Sequence, residues 1–219
     1  MKKFILGLSF ILVAISSFAQ EKISEGIVVY SLEWDVPPQA QAMASSLPSE
    51  LNVYFKGDSS SMKIESQFFS SKSILNMAKE YERLLLDIPM AGKKYSVIFT
   101  PADQEKMLDV MPQMELKAST ETKSILGYQA KKYEVSESKT GKNFTAWFTK
   151  DISITANPMS RFYEASYGFP LEFLSFQNGI PVKATVREIK KVSVPAGSFG
   201  ADKDYEEISY SQLMQMSGR

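Results

Sequence analysis

FPLEFLSFQNGIPVKATV, residues 169–186, decides the fold. Asn178-Gly179 lies between two runs in which apolar residues recur at every second position, and this dipeptide suits the positive φ angles of a two-residue type I′ turn. With that turn, Gln177 pairs with Ile180, Ser175 with Val182, Phe173 with Ala184 and Leu171 with Val186. The opposite face sets Glu172 against Thr185, with Lys183 and Arg187 on its diagonals. Apolar and charged pairs separate cleanly in this register, as a sheet with one buried and one wet face requires.

The same two-residue period extends outward along the chain. Gly26 to Trp34 places Val28, Tyr30, Leu32 and Trp34 on one face; Leu51, Val53 and Phe55 make the next, Gly57-Asp58-Ser59 turns the chain, and Met62 and Ile64 follow on the return strand. Val36-Pro37-Pro38 breaks the first strand. Val36, Ala40, Met43, Ala44 and Leu47 then fall at helical spacing until Pro48, which predicts a short amphipathic helix. Ile74 to Leu86 fits either a helix or two strands meeting near Glu80. The Met90-Ala91-Gly92-Lys93 turn and the Tyr95, Val97, Phe99 alternation favour strands at least from Leu84 onward and leave 74–83 open. Pro101 and Asp103 start a helical turn through Leu108, and Met114, Leu116 and Ala118 resume the strand period. Gln129 to Ser136 and Phe144 to Thr149 are further strands. No internal repeat or low-complexity linker interrupts residues 20–219, so one mainly β domain is expected.

Residues 1–19 have the order of a secretory signal peptide: Lys2 and Lys3, an apolar run from Phe4 to Ile15, then Ser17-Phe18-Ala19 before Gln20. The run is well short of the ~20 residues that a membrane-spanning helix needs, and no later stretch approaches that length. No cysteine stands at the cleavage site, which excludes bacterial lipidation. The expectation is a periplasmic protein, or one that travels beyond the periplasm.

Composition excludes chemistry more than it suggests any. There is no histidine and no cysteine, so the commonest general base, the commonest metal ligand, the thiol nucleophile and any disulfide framework are all missing. The 25 Lys and Arg balance 25 Asp and Glu, and losing Lys2 and Lys3 with the signal leaves a slight acidic excess. Such a charge gives no electrostatic reason to bind nucleic acid or an anionic membrane. No Gly-x-Ser-x-Gly elbow occurs, and no particular pair of carboxylates is singled out for hydrolysis. Asp202, Asp204, Glu206 and Glu207 are closely spaced, but they lack the glycine and ligand spacing of an EF-hand loop and read as a solvated acidic turn. The Asn143-Phe144-Thr145 sequon carries no meaning in a bacterial strand. Neither a metal nor a cofactor is expected, and an enzyme is the third choice.

ILGYQAKKY at 125–133, AWFT at 146–149 and the hairpin from Gly168-Phe169-Pro170-Leu171 to Val186 resemble an uncharacterised exported bacterial family, the domain of unknown function numbered four-four-one-two. In layout the chain is similar to the LolA and LolB lipoprotein-carrier superfamily. The resemblance covers most of the mature chain and is strongest from Lys123 to Ser209. It implies a curved antiparallel sheet forming an incomplete (half) barrel, with a short helix or loops across the concave face. In the carriers that hollow holds acyl chains. The first strand here has no arginine matching the carrier residue tied to lipid release.

Two functional classes follow. In the first, prompted by the resemblance, the concave face carries a lipid or another apolar small molecule, and its ligand-binding walls are Met43, Met62, Ile64, Leu171, Phe173, Val182 and Val186. In the second, the interior is filled by side chains and the sheet engages an envelope protein partner as an interaction or sensor module. Met43, Met62, Met77, Met90, Met107, Met111 and Met114 suit an adaptable pocket or ordinary core filling. Phe162, Tyr163, Tyr167, Phe169, Phe173 and Phe176 suit the rim of a site or a packed sheet face. Bulky Trp34, Phe55, Phe99, Phe148 and Phe173 are enough to fill a modest half-barrel unaided.

Export with cleavage after Ala19 predicts a mature chain beginning at Gln20. Amino-terminal sequencing of the periplasmic protein checks this; an intact Met1 or a purely cytoplasmic pool contradicts it.

Overall fold

A computed structural model describes residues 20–38, 44–110, 113–138, 141–177, 180–201 and 203–216. The expected signal segment, Met43 and most of the expected helix before Pro48, Met111, the Asn178-Gly179 turn itself and Asp202 lie outside the described residues.

The protein is mainly β. Its strands are β1 (Glu21–Lys22), β2 (Glu25–Trp34), β3 (Glu50–Lys56), β4 (Ser59–Glu65), β5 (Ser70–Asn76), β6 (Tyr81–Ile88), β7 (Lys93–Phe99), β8 (Met114–Ile125), β9 (Tyr128–Glu137), β10 (Asn143–Thr149), β11 (Ile152–Ser153), β12 (Phe169–Gln177), β13 (Ile180–Lys190) and β14 (Glu206–Glu207). Among the described residues two short helices accompany them, α1 (Pro101–Val110) and α2 (Tyr210–Met216). Twelve strands form one open sheet in the order β14-β7-β6-β5-β4-β3-β2-β13-β12-β10-β9-β8, and β1 and β11 form a separate parallel pair. The large sheet is antiparallel except where β14 runs parallel to β7.

The β12–β13 hairpin sits well inside this sheet, with β13 paired to β2 and β12 to β10. Its register is the one expected: Gln177 pairs with Ile180, Ser175 with Val182, Phe173 with Ala184 and Glu172 with Thr185. Leu171 and Val186, expected as the next pair, are both buried; the recorded ladder ends at Glu172, and a bulge follows Val186. The charged diagonals resolve differently. Glu172 accepts from Lys123 Nζ at 2.8 Å through both oxygens, while Lys183 bonds Glu33 across to β2 at 3.0 Å. Partners distant in sequence, on the neighbouring β2 for Lys183 and on β8, beyond β10 and β9, for Glu172, thus outcompete the hairpin's own diagonals.

Ile74 to Leu86 forms two strands. Asn76 ends β5, its side-chain oxygen accepts from the Lys79 amide at 2.9 Å, and Glu80 takes a left-handed φ of 49° before β6 begins. A left-handed residue reverses the chain, which breaks the helical alternative at the position the pattern marked. In front of α1, Thr100 and Asp103 cap one another: the Thr100 amide donates to the Asp103 carboxylate at 3.0 Å and the Asp103 amide to the Thr100 hydroxyl at 3.2 Å.

Two apolar clusters hold the sheet. The larger gathers inward residues of β2, β3, β4, β9, β10, β12 and β13, together with Met159 and Tyr163 from the connection between β11 and β12. The smaller joins Val97 and Phe99 of β7 to Ile208, with Met107 of α1 and Tyr210 and Leu213 of α2 packed against them.

Gly168, where that connection enters β12, has φ +102°, and a Cβ there would meet the Thr149 carbonyl oxygen at 2.2 Å. Gly168→Ala is therefore expected to cost roughly 2–5 kcal/mol, from strain plus displacement of β10. Urea denaturation measures it; an unchanged midpoint contradicts the placement.

Candidate functional site

The concave face was the expected site, and residues 154–167 lie across it as a strap. This stretch has no two-residue apolar period and forms only turns, over Asn157 to Tyr163 and in the short 3₁₀ helix Ala165–Tyr167. A buried segment without a strand ladder must find other partners for its backbone groups. Ser60 donates its hydroxyl to the Ala156 carbonyl at 3.1 Å, and Gln177 Nε2 donates to the Pro158 carbonyl at 3.3 Å. Asn157, 1% exposed, donates through Nδ2 to the Tyr30 hydroxyl at 3.3 Å and accepts the Met159 amide at 2.9 Å. The Arg161 guanidinium is paired with Glu82 of β6, and the Tyr163 hydroxyl donates to the Leu174 carbonyl at 2.7 Å.

Between these polar stitches runs a continuous aromatic row. Tyr30 meets Phe173 edge-on at 5.8 Å between centroids, Phe173 meets Tyr163 at 5.7 Å, and Tyr163 meets Phe148 at 5.2 Å. Phe148 continues to Tyr133 at 5.3 Å, and Tyr167 closes on Tyr133 at 5.2 Å. Rings from β2, β9, β10 and β12 therefore interlock with two rings from the strap, in the edge-to-face geometry that aromatic quadrupoles favour.

Of the expected wall residues, Met62 and Ile64 on β4, Leu171 and Phe173 on β12, and Val182 and Val186 on β13 are all buried and belong to this one cluster. Met43 lies outside the described residues. The described methionines share no common surface: Met62 and Met159 are in the large core, Met107 packs in the small one, and Met77 and Met90 are 48% and 82% exposed. Of the aromatic run, Tyr163, Tyr167, Phe169 and Phe173 join the core, and Phe162 pairs with Phe176 beside it. Sequence reasoning did not single out Asn157, Arg161 or Glu82. A polar Asn-Pro step inside a stretch lacking any period was the available signal, since such a segment needs side-chain partners if it is buried.

The acidic stretch spends its charges on neighbouring strands: Asp204 pairs with Lys94 at 2.5 Å and Glu207 with Arg83 at 3.1 Å. Among the described residues, no group of three or more His, Cys, Asp or Glu is placed to hold a metal ion. No helix among them is long and apolar enough to cross a membrane. A shallow open depression of about 320 Å³ lies on another part of the surface, bordered by Glu21, Lys22, Ser24, Glu25, Lys191 and Ser193. Lys191 pairs with Glu21 at 2.7 Å, and Glu25 accepts from the Val194 amide at 2.8 Å and from Lys56 at 3.1 Å. The Val194 amide first, and then the Lys56 ammonium, hold the Glu25 pKa below the ordinary carboxylate value.

No protein-family model and no curated protein matches the chain. Among solved structures it is similar to PNGF-II, determined in a C2 crystal form, with a TM-score of 0.56 at 15% identity. The match covers 89% of this chain and 33% of that one, so this chain spans about a third of the other's length. At that identity the likeness concerns the fold alone.

Burial raises the pKa of both Tyr30 and Tyr163 above the ordinary phenol value. Below about pH 10 these phenols are neutral whether the chain is folded or not. As pH rises through 10, the unfolded chain loses protons that the folded one keeps. Stability should therefore fall by up to about 1.4 kcal/mol per pH unit for each group. Urea midpoints from pH 8 to 11 check this, and Tyr30→Phe and Tyr163→Phe should each flatten the decline. At neutral pH, Phe173→Ala should destabilise by roughly 3–5 kcal/mol, because the ring has aromatic partners on two sides. A loss below about 1 kcal/mol contradicts that packing.

Proposed function

We propose that this protein is a non-enzymatic interaction or sensor module of the bacterial envelope, exported to the periplasm and acting through its outer surfaces. The observation that carries this reading is the double engagement of Phe173, edge-on to Tyr30 on the same face of the sheet and to Tyr163 of the strap. A wall that faces a ligand lacks protein partners on one side, whereas Phe173 has Tyr163 of the strap against it. The resemblance to the four-four-one-two family and to the LolA and LolB layout supports export and a half-barrel scaffold.

The carrier reading keeps one specific support, namely that the strap is not part of the sheet and leans on side-chain bonds. For an acyl chain to enter, Tyr163 and Tyr167 must leave the aromatic row and Asn157 must give up the Tyr30 hydroxyl.

Titration of the delipidated mature protein with a fluorescent fatty acid separates the two. The interaction reading expects no saturable uptake in the parent. It also expects a photo-crosslinker at Met90, on the exposed turn between β6 and β7, to join the protein to a defined envelope partner in intact cells. Stoichiometric uptake accompanied by a change in tyrosine fluorescence overturns this reading in favour of the carrier.

A further inference from the structure

The two edges of the twelve-stranded sheet are finished differently. At one, β14 and α2 close over β7. At the other, β8 is the last strand, and among the described residues nothing pairs with its outer side. An unpaired edge offers a row of backbone donors and acceptors to any strand that fits. Natural edges are commonly blunted, and β8 is blunted over part of its length: between Ala118 and Thr122 it carries extra residues that β9 does not match. Upstream of this bulge, Met114 to Ala118 runs in regular register, with Leu116 opposite Val135 and Lys117 opposite Glu134.

Those five residues are complementary to themselves. In an antiparallel pairing about a twofold axis through Leu116, Glu115 stands opposite the partner's Lys117, and Lys117 opposite the partner's Glu115. Met114 stands opposite the partner's Ala118, and Leu116 meets its own copy. Both charges are exposed, and neither makes an ion pair among the described residues; Glu134, opposite Lys117, is already held by Lys132 at 2.9 Å. On the other face, Met114 and Leu116 are half-buried apolar residues packed on the outer rim of the large core. Pairing would bury that rim further while matching the charges, the isologous arrangement that a twofold dimer needs.

We propose that Met114–Ala118 of β8 is a self-association edge, through which two copies of this chain join their sheets antiparallel. The interface is independent of whatever the remaining surfaces bind. Being only five residues long, it is smaller than standard protein interfaces and gives a weak dimer, with Kd in the range of about 0.02–1 mM.

Sedimentation equilibrium of the mature protein up to about 1 mM tests this directly. A concentration-dependent dimer is expected. Lys117→Glu and Glu115→Lys should each weaken it by about tenfold or more by setting like charges face to face, while the two together should restore it to within about threefold of the parent. Because the chain has no cysteine of its own, oxidation of Leu116→Cys should yield a covalent dimer whose yield falls when Lys117→Glu is added. Circular dichroism of these surface variants should match the parent. A monomer across the whole range overturns the proposal, as does a dimer indifferent to the charge variants or a swap that fails to restore it. A monomer whose β8 edge instead takes up a strand of another envelope protein also overturns it.

Discussion

Phe173 between Tyr30 and Tyr163 is the contact on which the rest of the structure depends. A single-layer sheet has a concave face that must be covered, and no helix among the described residues covers the face of β2, β12 and β10. Two tyrosines on an irregular segment do so instead. Each large ring buries about 150–250 Å² and adds edge-to-face attraction, so a few residues suffice to hold the strap down. Its polar groups are met one at a time by Ser60, Gln177, Tyr30 and Leu174. The Arg161–Glu82 pair ties the strap across to β6, several strands away from the aromatic row.

The same economy governs the opposite face. Ser60 and Ser61 are consecutive, both buried, and point to opposite sides of β4 as strand geometry demands. Ser60 bonds the strap, and Ser61 donates to the Ser198 carbonyl at 2.7 Å in the segment that follows β13. Val194 anchors the start of that segment on Glu25, and Ile208 ends it in the second core. Polar serines inside β4 are thus not a defect in the pattern; they mark where chain passes over both faces of the sheet.

Much of this architecture is written locally. The β12–β13 register, the faces of β2, β3 and β4, and the helix after Pro101 follow from periodicity and turn chemistry, which act over a few residues. The ambiguity over 74–83 was real at that level, because Ile74 to Leu86 matches both periods. Pairing of β5 with β6, ended by a left-handed Glu80, decides it. Glu172 illustrates the opposite case: its partner Lys123 is 49 residues away and no local rule could select it over Lys183.

What the sequence determined by itself is the β class, the hairpin register, the missing histidine and cysteine chemistry, and an apolar face containing Met62, Ile64, Leu171, Phe173, Val182 and Val186. Each of these depends on composition or on contacts between neighbours in the chain. The tertiary structure alone decided what lies against that face, because residues 154–167 have no period to betray their burial and are held by partners contributed from β2, β4, β6 and β12. It also decided which strand is left unpaired at the edge, since strand order is set by which long loops close most favourably over the core, and no window of sequence contains that comparison.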